Sequence, residues 1–141
     1  MNTLNLLELI SKVRRYTRDT TGSLFTTEDV TDFCNEGIDR LKAIPELKGM
    51  RRLQSNMDEV NLLPEHYQYF ISLFGASRCF TQDEQHYQAE QFMNEFESKV
   101  FQLERDIASG VVEITDANGS VVVDASRLDY ILDSYFEKRD E

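Results

Sequence analysis

The fold is decided by residues 83–109, which read DEQHYQAEQFMNEFESKVFQLERDIAS. Large apolar side chains recur in this stretch at spacings of three or four residues, with mostly polar or charged residues between them. This periodicity predicts one long amphipathic helix with a buried apolar face. That face consists of Phe92, Phe96, Val100, Leu103 and Ile107. Because each of these side chains stabilises the fold by roughly 2 kcal/mol when buried, the helix needs a packing partner along its length.

The two ends of this helix carry residue types that usually delimit helices. Asp83 is the expected N-cap, Glu84 places negative charge in the first turn, and Gly110 is expected to end the helix in a left-handed conformation. The net charge of −5 across residues 83–106 predicts an acidic outer face.

Length and composition indicate one globular domain. The chain has 141 residues, of which 40% are hydrophobic and 11% aromatic, enough for a modest core and atypical of disorder. No stretch approaches the ~18 consecutive apolar residues of a membrane span, and the N-terminus lacks the pattern of a secretory signal. Cys34 and Cys79 lie on apolar helical faces, so we expect reduced core residues of an intracellular protein rather than a disulfide.

The net charge of −11 is unevenly distributed: residues 1–53 carry +1 and residues 54–141 carry −12. This balance argues against general nucleic-acid binding, which relies on neutralising phosphates. An acidic surface can simply be solvated, which is the ordinary interpretation. It can also meet a basic partner, or face DNA without holding it.

Three helices are expected before the long one. The first runs from Thr3 to about Thr17 and ends in basic residues that favour its C-terminus. The second is capped by Thr26 and ends near Ala43, before Pro45. The third opens at Pro64, is apolar over most of its circumference and should be central and antiparallel to the long helix. Besides the long-helix stripe, the predicted core contains Val30, Phe33, Ile38, Phe70 and Phe74.

Two smaller expectations concern the packing and connection of these helices. Gly37 and Gly75 lie on helix faces where close approach of a neighbour is expected. Residues 46–63 read as a loop that could include two short strands, at 53–57 and 60–62, although their alternation is weak.

After Gly110 the pattern changes to β-branched runs around Asn118-Gly119, which predicts a β-hairpin over residues 111–123. Residues 124–141 form an aromatic tail or short helix that could dock on its own domain or on a partner. The hairpin and tail together are the predicted interface with another chain, carried away from the body by the long helix. The interface set is Val111, Val112, Ile114, Val121, Val122, Val123, Leu128, Tyr130, Ile131, Tyr135 and Phe136.

Residues with catalytic potential are scattered. His86 and Glu90 stand four apart with Asp83 nearby, but an exposed helix with so few ligands is not a metal site. Neither cysteine lies beside a histidine, and there is no glycine-rich phosphate loop or nucleophile motif. We therefore predict no catalytic, cofactor or metal site, and no enzymatic activity.

Five stretches resemble the head–tail connector (adaptor) proteins of tailed bacteriophages, which are neck proteins bound beneath the portal. They are residues 24–37 (LFTTEDVTDFCNEG), 63–67 (LPEHY), 76–80 (ASRCF), 83–89 (DEQHYQA) and 93–97 (MNEFE). The resemblance covers most of the chain but is weakest beyond Asp124. It implies a small helical bundle that assembles as a ring, usually dodecameric, under the portal. Such a ring extends the DNA channel and offers the surface on which the stopper or tail assembles.

The fold expected from pattern and resemblance is mainly α: a four-helix bundle over residues 1–110, a hairpin over 111–123 and a docking tail over 124–141. The resemblance places the protein in the virion neck, and in the host cytoplasm during assembly. Its partners would be itself, the portal and a stopper or tail-completion protein, with DNA passing through unbound and no cofactor. The alternative function is a monomeric acidic helical regulatory module that binds a basic partner protein.

Overall fold

The computed structural model describes residues 3–19 and 22–122, and it is mainly helical. Two short 3₁₀ turns, Pro45–Leu47 and Glu65–Tyr67, lie between the second and third α-helices. The four α-helices are α1 (Leu6–Thr17), α2 (Thr27–Leu41), α3 (Tyr69–Gln82) and α4 (His86–Ala108). One hydrophobic cluster joins all of them.

Helices α3 and α4 run antiparallel, as the short connection between them predicts. The ring of Phe80 stacks on that of Phe92 with centroids 5.6 Å apart. Further along, Phe74 meets Phe96 edge-on at 5.2 Å. Because residue numbers fall along α3 while they rise along α4, the two helices point in opposite directions. Burial of Phe96 at 0% exposure places the predicted apolar stripe against α3.

Helix α3 is central, because it also packs on α1 and α2 at very short range. A Cβ added at Gly75 would lie 3.0 Å from Cγ2 of Val13 and 3.4 Å from Sγ of Cys34. On the opposing helix, a Cβ added at Gly37 would lie 3.1 Å from Cβ of Phe74. Both glycines therefore stand where helices meet closely, as their positions in the sequence predict.

The ten residues predicted to form the core all contact it. Seven are buried and three are partly buried while packing against the cluster, so the predicted apolar faces do point inward. The buried residues are Val30, Ile38, Phe70, Phe74, Phe96, Leu103 and Ile107. The partly buried residues are Phe33, Phe92 and Val100.

Side-chain caps begin the first two helices but not the last two. The backbone N–H of Asp29 donates to the hydroxyl of Thr26 at 3.0 Å, which confirms the predicted cap of α2. Helix α1 begins three residues later than expected, at Leu6, because Asn5 caps it by accepting from the N–H of Glu8 at 2.9 Å. Leu4 and Asn5 pair instead with the connection before α3: the N–H of Val60 donates to the carbonyl of Leu4 at 3.0 Å, and Asn5 forms an antiparallel bridge with Glu59.

The predicted starts of α3 and α4 are wrong. Pro64 opens a separate 3₁₀ turn, and α3 begins only at Tyr69. Asp83 ends α3 instead of capping α4. Glu84 adopts a left-handed conformation with φ of 59°, which separates the two helices. The carbonyl of Phe80 accepts from the N–H of Gln85 at 2.9 Å, so the end of α3 uses this turn to satisfy its own backbone. Gly110, with φ of 82°, ends α4 as predicted.

The connection between α2 and α3 contains no strand among the described residues, contrary to the weak expectation for residues 53–57 and 60–62. Side-chain amides organise it instead. The buried amide of Asn35 exchanges two hydrogen bonds with the backbone of Leu53, at 2.7 and 2.9 Å. Gln68 accepts from the N–H of Leu4 at 2.7 Å and donates to the carbonyl of Leu63 at 2.9 Å. These bonds replace the backbone ladder that a pair of strands would supply.

Asp19 holds the turn between α1 and α2. Its carboxylate is buried, accepts from the backbone N–H groups of Leu24 and Phe25 at 3.2 and 3.0 Å, and pairs with Arg14 at 3.1 Å. Burial alone would raise the pKa of Asp19, but these donors and the Arg14 charge outweigh it and lower the pKa below its ordinary value. The charged form therefore stabilises the fold.

We expect Gly75→Ala to lower the free energy of unfolding by about 1 kcal/mol. Overpacking against Val13 costs about 2 kcal/mol, and the better helix propensity of alanine returns about 1 kcal/mol. Urea denaturation measures the change. The pair Ser98→Gly and Ser98→Ala, at an exposed position of α4, supplies the propensity difference without a steric term. If Gly75→Ala instead raised the free energy of unfolding by as much as Ser98→Ala exceeds Ser98→Gly, the close packing at Gly75 would be contradicted.

We expect Asp19→Asn to destabilise the protein by about 2 kcal/mol at neutral pH, because a buried charge-assisted network loses its acceptor. Since the folded pKa of Asp19 is lowered, this contribution is complete above the ordinary aspartate value of about 3.9. It is lost as the pH falls below that value through the folded pKa. Urea denaturation between pH 3 and 7 should show the two proteins converging at the acid end. The exposed Asp32→Asn serves as the control, with an expected change below about 0.5 kcal/mol.

Candidate interface

The segment after α4 folds back on the body instead of projecting from it. The backbone N–H of Val112 donates to the carbonyl of Asp106 at 3.1 Å, and that of Val122 donates to the carbonyl of Ile114 at 2.7 Å. Ile114 is only 1% exposed and belongs to the core. The expectation that the long helix carries this segment away from the body is therefore wrong for residues 111–122.

The predicted hairpin is reduced to a tight turn in the residues that the structure describes. Asp116 and Ser120 close the turn through a backbone hydrogen bond of 2.9 Å, and Gly119 takes φ of 81°. One isolated antiparallel bridge joins Thr115 to Val121, and no strand extends from it within the described chain. The carbonyl of Ile114 takes part in this pairing by accepting from the N–H of Val122, while its side chain is buried in the core.

The predicted interface residues fall into three groups. Val111 and Val121 are solvent-exposed, at 75% and 50%. Val112 and Val122 are partly buried against the core, and Ile114 lies within it. The remaining predicted residues lie outside the described residues: Val123, Leu128, Tyr130, Ile131, Tyr135 and Phe136. Only the first group offers apolar surface to a partner from the described part of the chain.

A second exposed apolar element lies on α4, where the sequence predicted an acidic face. Tyr87 is 70% exposed and Phe101 is 63% exposed. The amide of Gln91 donates to the hydroxyl of Tyr87 at 3.0 Å, and the guanidinium of Arg105 lies 6.0 Å from the centroid of Phe101. Sequence reasoning missed both aromatic residues because it followed the buried stripe. Their spacing of fourteen residues, four helical turns, was the available signal.

The acids of α4 flank this line of aromatic and amide side chains instead of covering it. Glu97 turns toward α2 and forms a two-pronged salt bridge with Arg40, at 2.7 and 2.9 Å. Beside this bridge is a groove of about 150 Å³ with Ile44 and Val100 in its walls and Phe101 at its edge. Because both partners of the salt bridge are well exposed, it contributes at most about 1 kcal/mol.

Several basic residues of the nearly neutral N-terminal third are engaged inside the chain. Arg14 binds Asp19, Arg40 binds Glu97 and Arg52 binds Asp39. The hydrogen bond from Arg52 lowers the pKa of Asp39. Arg14 is therefore committed to the turn after α1.

The cysteines and His86 occupy different environments in the described residues, since the cysteines are buried and His86 is exposed. Cys34 and Cys79 are free and buried, as expected, and burial raises the pKa of each thiol to about 12, so both are protonated at neutral pH. No cluster of three potential metal ligands occurs in the part of the chain that is described, and His86 lines only an open groove. None of the described helices combines the length and hydrophobicity needed to cross a bilayer.

Comparison of the chain with protein-family models, with curated proteins and with solved structures found no match.

We expect Ile114→Ala to lower the free energy of unfolding by about 3 kcal/mol, because it deletes a fully buried side chain. Val111→Ala, three residues earlier at an exposed position, should change it by less than about 0.5 kcal/mol. Urea denaturation of the two variants tests whether the segment after α4 belongs to the folded body. Equal, small effects would mean that Ile114 is not anchored.

Proposed function

We propose that this chain is a head–tail connector (adaptor) protein of a tailed bacteriophage. It assembles as a ring beneath the portal, extends the DNA channel and joins the capsid to the tail. Its partners are other copies of itself, in a ring that is dodecameric in the usual form of the family it resembles, the portal, and a stopper or tail-completion protein. It acts without catalysis or a cofactor, and its location is the virion neck.

The observation that carries this proposal is the exposed apolar surface of the segment after α4. Val111 and Val121 are exposed on the segment after α4, and the buried side chain of Ile114 anchors that segment to the core. The chain leads on from there into residues 124–141, which are rich in aromatic residues. Exposed apolar side chains on a fixed support, followed by aromatic anchors, suit docking on a large partner such as a portal.

Charge supports the same assignment. Residues 54–141 carry −12, and several of the cations of the N-terminal third are already paired with acids of the same chain. A ring of such subunits presents a negative wall, which repels DNA phosphates and lets the duplex pass without binding.

The test is to place the protein in particles and then remove its tail. We expect gold-labelled antibody against the full chain to mark the neck of virions from the source in electron microscopy. A chain lacking residues 124–141 should keep its helical circular dichroism spectrum, because the four described α-helices lie before that segment. It should nevertheless no longer join portal-containing capsids. Val111→Ser with Val121→Ser in the full chain should weaken that joining, while the exposed Met57→Ser serves as the matched control.

Two outcomes would contradict the proposal. Label that is absent from the neck would remove the connector assignment altogether. Capsids that acquire the shortened chain as well as the full one would remove the role of the tail.

The alternative function is that of a monomeric acidic module that binds a basic partner protein. The excess of negative charge in residues 54–141 favours it. Such a module would be recovered on a basic protein at low salt and released as salt screens the charges. It would leave virion necks unlabelled, so the same microscopy separates the two functions.

A further inference from the structure

The turn after α4 presents an Asn-Gly pair to solvent. Asn118 and Gly119 are both exposed, and they lie at the tip of the turn that Asp116 and Ser120 close. The side-chain amide of Asn118 makes no hydrogen bond within the described residues. A Cβ added at Gly119 would meet no atom of the surrounding structure within 4 Å. The asparagine side chain and the backbone nitrogen that follows it are therefore both uncovered.

This pair joins two groups that can react with each other. The side-chain carbonyl carbon of an asparagine, Cγ, is an electrophile, and the backbone nitrogen of the next residue can reach it to close a cyclic imide. A side chain on the next residue hinders that approach, whereas glycine has no side chain and a more mobile backbone. The chain contains seven asparagines, and Asn118 alone precedes a glycine.

We infer that Asn118 is a site of spontaneous deamidation, at a rate set by the turn that Asp116 holds. The backbone nitrogen of Gly119 loses its proton to water and forms a bond to Cγ of Asn118. The bond between Cγ and Nδ2 then breaks, and the side-chain nitrogen leaves as ammonia. Water opens the resulting cyclic imide at either of its carbonyl carbons, which gives aspartate or isoaspartate. No electron is transferred, and water is the only co-reactant.

The hydrogen bonds of the turn slow this reaction. The N–H of Gly119 donates to the carbonyl of Asp116 at 3.0 Å, so the attacking nitrogen is engaged while the turn is closed. The carboxylate of Asp116 also accepts from the N–H groups of Asn118 and Ser120, at 2.9 and 3.0 Å. Beyond the turn itself there is one isolated bridge and no described strand. An exposed turn with so little pairing opens readily, so its opening sets the rate without preventing the reaction.

The product changes the surface of the segment after α4. Deamidation adds a carboxylate two residues from that of Asp116, and isoaspartate also lengthens the backbone by one methylene group. Repulsion between the two carboxylates and the altered spacing both act against the bonds that close the turn. The buried side chain of Ile114 lies outside the turn, so the anchor of the segment is retained. The inference does not depend on the proposed function, because the reaction needs only this chain and water.

Ageing of the full chain in mildly alkaline buffer tests the site. Peptide mapping by mass spectrometry should find Asn118 converted, and methylation by an isoaspartate-specific methyltransferase should label the same peptide. Asn56 and Asn94 are internal controls, because both are exposed but precede Met57 and Glu95. They should stay unmodified over the same time. An intact Asn118, or conversion no faster than that of Asn56, would overturn the inference.

Two variants test the chemistry and the role of the turn. Asn118→Gln keeps an amide but closes the cyclic imide far more slowly, so isoaspartate should not form. Asp116→Ala removes the carboxylate that holds two N–H groups of the turn, and it should accelerate conversion of Asn118 by about fivefold or more. The matched control is Glu113→Ala, which removes the same charge at an exposed position of the same segment. Equal rates in these two alanine variants would show that the turn does not set the rate.

Amide hydrogen exchange of the modified chain tests the structural consequence. Ion-exchange chromatography separates this form by its additional negative charge. The N–H of Val122, which donates to the carbonyl of Ile114 across the turn, should lose protection. The N–H of Val112 donates to the carbonyl of Asp106 on the α4 side and should keep its protection. Unchanged protection at Val122 would mean that the turn accommodates the product.

Discussion

The structure depends on the close approach of α3 to its neighbours at two glycines. Gly75 lets the side chain of Val13 and the thiol of Cys34 reach the backbone of α3, and Gly37 lets the side chain of Phe74 reach the backbone of α2. These contacts set the separation of the three helices around the centre of the bundle. The remaining core, including the stripe of α4, packs on the surface that results. Glycine at these two positions lowers the helix propensity, but it allows close packing that a larger side chain would block.

Polar side chains then perform the work that regular backbone pairing does in other folds. Asp19 gathers the turn after α1, Asn35 fixes the long connection on α2, and Gln68 ties that connection to the N-terminus. Each of these groups is buried and hydrogen-bonded, so each specifies one arrangement of its loop. Among the described residues, no buried side-chain polar atom lacks a partner.

The packing of the core also decides which apolar side chains remain exposed for contact with a partner. Ile114 is committed to the core, which leaves Val111 and Val121 exposed on a fixed support. Along α4, the inward stripe packs against α3, while Tyr87 and Phe101 remain exposed to solvent. The two exposed elements lie on the same helix and the segment after it. The proposed portal-docking surface therefore depends on the way α4 packs against α3.

Local chemistry by itself determined the helical class, the inward faces and two of the helix boundaries. The buried face from Phe92 to Ile107 follows from the spacing of its side chains alone. The cap by Thr26 depends only on the residue three positions later, and the left-handed conformation of Gly110 depends only on its lack of a Cβ. Tertiary structure decided the remainder. Asp83 is a residue type that often caps the start of a helix, but here it is the C-cap of α3. Its backbone N–H donates to the carbonyl of Cys79 in that helix. Ile114 belongs to a pattern that favours a strand, but the pattern does not say which of its apolar side chains is buried; the packing of the segment after α4 buries Ile114 in the core and leaves Val111 and Val121 exposed. Phe101 lies opposite the stripe that packs on α3, and only the tertiary structure shows that no other part of the described chain covers that side of α4.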